Sequence, residues 1–133
     1  MSAISIKGVV IGAIFDIVLS GICGVVFVMI YAMTAGITAP EDLAQLATAP
    51  ELRVFSYVSG GLISIIAGYL AARIAGRGEL INGTLSSVLC VGLGLAFVVV
   101  SHPPEFGISE ILQFALPPLL GLLGGYLRLR QVQ

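Results

Sequence analysis

Apolar residues run through this chain in four long blocks, not in the narrow stripe of a soluble helix or the alternation of a half-buried strand. The blocks are Gly8 to Met33, Val54 to Ile74, Leu80 to Ser101 and Ile108 to Leu127. Each reaches the roughly 20 residues needed to cross a bilayer core of about 30 Å. A segment in lipid must satisfy its backbone from within, so each block is expected to be a helix, and the dyad alternation of a membrane barrel is absent. The pattern predicts an all-α membrane protein: one transmembrane domain over residues 1–133, built as a bundle of four spanning helices.

Polar residues punctuate the blocks. Thr-Ala-Pro-Glu occurs twice between the first two, at Thr38 to Glu41 and at Thr48 to Glu51. Each Thr-x-x-Glu has the form of a capping box with proline in the first turn. The first is expected to open a short extracytoplasmic helix, Glu41 to Ala47, and the second to launch span two. Gly76-Arg77-Gly78-Glu79 turns the chain in a few residues and makes spans two and three antiparallel neighbours. His102 to Gly107 is an equally short connection, with Ser109 as the cap of span four. Pro117 and Pro118 remove two backbone donors from span four and are expected to kink it about one turn earlier, near Gln113 and Phe114.

Composition fits this reading, with 58% hydrophobic against 10% charged residues. The net charge of −1 comes with no basic block to grip nucleic acid. The distribution of charge is more telling. Lys7, Arg73, Arg77, Arg128 and Arg130 fall on one side of the alternating spans, whereas Arg53 stands on the other with Glu41, Asp42, Glu51, Glu105 and Glu110. The positive-inside rule then places both termini in the cytoplasm. Cys23 and Cys90 lie within spans and read as free thiols.

At intervals of four, small residues recur: Gly8, Gly12, Ser20 and Gly24 in span one; Gly60, Ser64 and Gly68 in span two; Ser86, Cys90 and Gly94 in span three; Gly121 and Gly125 in span four. Such stripes let helix backbones approach closely, which in lipid drives association. Gly8, Gly12, Gly24, Gly60, Gly68, Gly94, Gly121 and Gly125 are therefore the expected packing positions.

Asp16 sits on the first stripe and is the one acidic side chain deep inside a span. Near a helix centre it costs about 2.5 to 3.5 kcal/mol to insert, so something must hold it there. The candidate polar cluster is Asp16 with Ser20, Ser64, Tyr69, Arg73, Ser86 and Ser87. Tyr69 and Arg73 enter because, counted from span centres, they lie near its depth and lean toward it. Either Asp16 clasps helices together, or it exchanges a proton or cation.

Little else carries chemistry. His102 and Lys7, each the sole residue of its type, fall at opposite ends of the bundle, and neither a metal motif nor a nucleophile elbow is visible. The sequence points to no enzyme and no cofactor.

The run Gly68-Tyr69-Leu70-Ala71-Ala72-Arg73-Ile74-Ala75, followed by Glu79 and Asn82-Gly83, resembles a segment of small uncharacterised bacterial four-span membrane proteins. In those, a G-Y-x-A-A-R helix end leads through a short turn to E-x-x-N-G. The resemblance implies a protein of the bacterial inner membrane and brings no activity with it. Two functions remain open at this point. One is a non-enzymatic membrane protein packing against itself or a larger membrane complex within the lipid bilayer. The other is a small oligomeric transporter or channel subunit that uses Asp16.

Overall fold

The computed structural model describes residues 4–37, 42, 49–101 and 108–133, without the side chains of residues 98, 101 and 108–110. Four helices account for nearly all of them: α1 Ile6–Ala35, α2 Pro50–Ala75, α3 Glu79–Ser101 and α4 Ile108–Val132. All four are long and apolar enough to cross a membrane. At about 1.5 Å per residue, α1 is roughly 45 Å long, more than the hydrocarbon core requires.

The helix ends follow local chemistry. Ser5 caps α1, its Oγ accepting from the Gly8 N–H at 3.2 Å. Gly36 closes the helix at φ 67°, a left-handed conformation that glycine adopts without a steric cost, and its N–H bonds back to Ala32 and Met33. α2 departs from expectation. Its N-cap is Ala49, which offers no side-chain bond, and Pro50 opens the first turn. A fixed φ and a missing donor thus start this helix where a Thr48 capping box was expected. Ser109 likewise falls inside the first turn of α4 and not ahead of it. The short helix expected over Glu41 to Ala47 lies outside the described residues apart from Asp42, and so do the Thr38 box and His102.

α4 runs unbroken through Pro117 and Pro118. The two prolines leave the carbonyls of Gln113 and Phe114, where the kink was expected, without a helical donor four positions on.

α2 and α3, joined by the tight turn at Gly76 to Gly78, form the central pair. α1 packs against both from one side and α4 against both from the other, while α1 and α4 share no substantial contact among the described residues. Apart from Ile63, the described core is made of small side chains. Asn82, Ser86 and Ser87 are the largest that are fully buried, beside Ala67, Ala71 and Ala72. Large aliphatic residues point outward instead, among them Ile14, Val25 and Met33 on α1. With lipid tails as solvent, dispersion between close backbones replaces an aliphatic core as the source of cohesion.

That closeness is concentrated at the end of the bundle carrying the termini and the α2–α3 turn. A Cβ on Gly8 would stand 2.7 Å from the Ala71 carbonyl oxygen, and one on Gly12 would stand 2.8 Å from the Ala71 Cβ. Gly68 and Gly121 meet backbone to backbone across α2 and α4, and Gly83 of α3 meets Gly121 in the same layer. Gly125 abuts the start of α3 at Glu79. Asn82 ties this end together. Its Oδ1 accepts from the Ser5 N–H at 2.7 Å, while its Nδ2 donates to the carbonyls of Arg77 and Gly78 at 2.9 Å each.

Candidate functional site

Asp16 is 3% exposed, and two hydroxyls hold its carboxylate. Ser20, one turn further along α1, donates to Oδ1 at 3.3 Å, and Ser64 of α2 donates to Oδ2 at 3.0 Å. The Cys90 thiol of α3 lies within hydrogen-bonding reach of the same carboxylate. Three helices therefore converge on one acid. The geometry follows from direction: α1 and α3 run the same way, so Gly12 meets Ser86, its Cβ position 3.0 Å from the serine Cβ, and one turn on Asp16 meets Cys90.

A carboxylate offers about four acceptor positions, and hydroxyls on two sides leave capacity unspent. Asp16 also lines a cavity of about 460 Å³ in the loop-side half of the bundle, built from residues of all four helices. Asp16, Ser20, Ser64 and Cys90 form its polar floor. Tyr57 and Phe114 supply rings to the wall, and Gln113 and Pro117 lie on the α4 side. The carbonyl-releasing turn of α4 is thus part of the cavity lining. Arg53, exposed in the first turn of α2, also borders it.

The expected cluster is only partly assembled. Asp16, Ser20 and Ser64 come together. Ser86 is fully buried but turns its Oγ to the Gly83 carbonyl at 2.9 Å. Ser87 is fully buried against Gly121, and its Oγ has no hydrogen-bond partner among the described residues. Tyr69 and Arg73 are placed elsewhere. Tyr69 donates its hydroxyl to Gln131 Oε1 of α4 at 2.6 Å, and Arg73 is exposed in the last turn of α2. The reason is rotation. At about 100° per residue they stand roughly 140° and 180° around α2 from Ser64, the residue that faces Asp16. Depth alone suggested the partnership, and helix phase forbids it.

The stripes divide in the same way. Gly8, Gly12, Gly68, Gly121 and Gly125 have close neighbours at a Cβ position, whereas Gly24, Gly60 and Gly94 have nothing within 4 Å of one. Gly60 instead borders the cavity. Sequence reading missed Gly83 and Gly124, both in close backbone contact, and the clasp made by Asn82. A signal for Gly124 was its neighbour Gly125; for Asn82 it was a buried-span amide directly after a tight turn. Cys90 belongs to the span-three stripe, but its meeting with Asp16 depends on the register between α1 and α3.

No set of three His, Cys, Asp or Glu side chains able to hold a metal gathers among the described residues. No family model matches the chain, and neither does any curated protein or solved structure. Any functional reading therefore rests on the site itself.

Proposed function

We propose that this integral membrane protein binds a cation at Asp16 and acts as a small transporter or channel subunit, without catalytic chemistry of its own. One observation carries the reading. The acid accepts from Ser20 and Ser64, has the Cys90 thiol beside it, and with these three residues lines a cavity of about 460 Å³. A carboxylate serving only as a clasp needs no space beside it, and an intramembrane acid on a cavity is the usual mark of an ion or proton path. The charge asymmetry and the resemblance to bacterial four-span proteins favour the inner membrane of a bacterium, with both termini cytoplasmic.

The test is flux in liposomes containing the purified protein, with Na⁺, K⁺ and protons as probes. Wild type is expected to carry one of them above the level of empty liposomes, and Asp16→Asn is expected to abolish that flux. Equal flux in wild type, Asp16→Asn and empty liposomes overturns the reading.

A second reading, association with another copy or a larger membrane complex, draws on Gly24 and Gly94. Both lie within spans and have nothing within 4 Å of a Cβ position, whereas Gly8, Gly12, Gly68, Gly121 and Gly125 serve packing inside the chain.

A further inference from the structure

The cavity at Asp16 does not stand alone. A second hollow of about 390 Å³ lies between α2 and α4, lined by Tyr57, Leu112, Ala115, Leu116 and Leu119. Its lining is apolar but for the tyrosine hydroxyl, and Leu112, Leu116 and Leu119 are exposed on the outer surface of the bundle. In a bilayer that surface faces lipid. Tyr57 and Leu116 line both hollows, so a mixed chamber with an acid among its polar groups shares a wall with an apolar groove on the outer surface.

The chamber has room for more than an inorganic ion. At about 30 Å³ per water, the chamber corresponds to roughly fifteen water molecules, far more than one partly dehydrated ion would retain. The volume is instead in the range of pockets that take small organic molecules. The chemistry of the wall then selects among those. Asp16 attracts positive charge, and Tyr57 and Phe114 add aromatic rings, a surface that suits an organic cation, to the same lining. The groove beyond Tyr57 and Leu116 suits a hydrocarbon tail and nothing polar.

We propose that the ligand is a single-chain cationic amphiphile drawn from the bilayer, its head at Asp16 and its tail in the groove between α2 and α4. This rests on the reading of Asp16 as a cation site and names the class of cation. It also assigns a role to Tyr57 and Leu116, which stand between head and tail and set the route from lipid to chamber. Entry from the membrane avoids Arg53, whose positive charge at the border of the chamber opposes a cation arriving from water.

Cys90 provides a local reporter, since it lines the chamber beside Asp16. In a Cys23→Ser background, the full-length protein in detergent is labelled with N-ethylmaleimide, and protection of Cys90 is measured with tetramethylammonium, hexyltrimethylammonium and decyltrimethylammonium. Protection is expected at progressively lower concentration along the series, by up to about fourfold for each methylene that enters the groove. Asp16→Asn should remove protection by all three. Ala115→Phe, which fills the groove without touching the chamber, should leave tetramethylammonium unaffected and flatten the dependence on chain length. Equilibrium dialysis of the same ions gives the same comparison without the reagent.

Equal protection by tetramethylammonium and the decyl compound overturns the amphiphile while leaving a cation site at Asp16. Binding of all three ions that is the same in wild type and Asp16→Asn, or absent from both, overturns the amphiphile, and liposome flux then decides separately whether Asp16 carries an inorganic ion.

Discussion

The two halves of the bundle use the same residue for opposite ends. Toward the termini, glycine brings backbones together: Gly68 against Gly121, Gly83 against the same residue, and Gly8 against Ala71. Toward the loops, Gly24, Gly60 and Gly94 meet nothing within 4 Å, and the space beside Gly60 belongs to the chamber. Buried polar groups divide similarly. Asn82 satisfies its amide wholly within the protein, joining the start of α1 to the turn before α3, whereas Asp16 lines the chamber. At the loop end an aromatic pair, Phe27 on Phe55 with centroids 4.0 Å apart, joins α1 to α2 where no close glycine does. One half is thus a fixed anchor, and the other is held by side chains around a void. Small residues allow close approach only where two backbones are directed at each other; elsewhere the same absence of a side chain leaves room.

Matched substitutions probe this contrast. Gly68→Ala or Gly121→Ala sets a methyl group against backbone that cannot move aside, and each is expected to destabilise the protein by about 3 kcal/mol. Thermal unfolding in detergent, followed by loss of helical circular dichroism, measures it; a change within experimental error would mean that the anchor is not close-packed. Asn82→Ala strands the Ser5 N–H and removes two further bonds, for an expected loss of about 2 kcal/mol in the same assay. The smallest effect has the opposite sign. Gly24→Ala and Gly94→Ala meet no neighbour and reduce the freedom of the unfolded chain, so each should stabilise by about 0.5 kcal/mol. Destabilisation of the isolated protein by either would erase the distinction between the halves. Loss of a larger assembly without loss of stability would instead direct attention to a partner surface.

Much of the fold was legible because its signals are one-dimensional. Four uninterrupted apolar runs gave four helices, and the Gly76 to Gly78 turn gave an antiparallel pair. Errors at the ends had local causes. α2 begins at Pro50 because proline starts a helix without a side-chain cap, and α4 continues to Val132 because a helix need not stop where its hydropathy falls. The site was half legible. Asp16 with Ser20 is a spacing within one helix, and Ser64 shared a stripe that faced the right way. Tyr69 and Arg73 were chosen by depth, a coordinate that ignores rotation about the helix axis, and they turned to other surroundings. Cys90 and the chamber could not be read, since both depend on how far apart four helices stand.

By itself, then, the chain determined that it forms four apolar helices and carries one acid deep within them, because hydropathy and charge act along the sequence. Only the tertiary structure decided which glycines close the bundle, which hydroxyls reach Asp16 and that a chamber opens beside it. Those outcomes depend on helix phase and on the register between neighbours, which are settled by packing between segments distant in the chain.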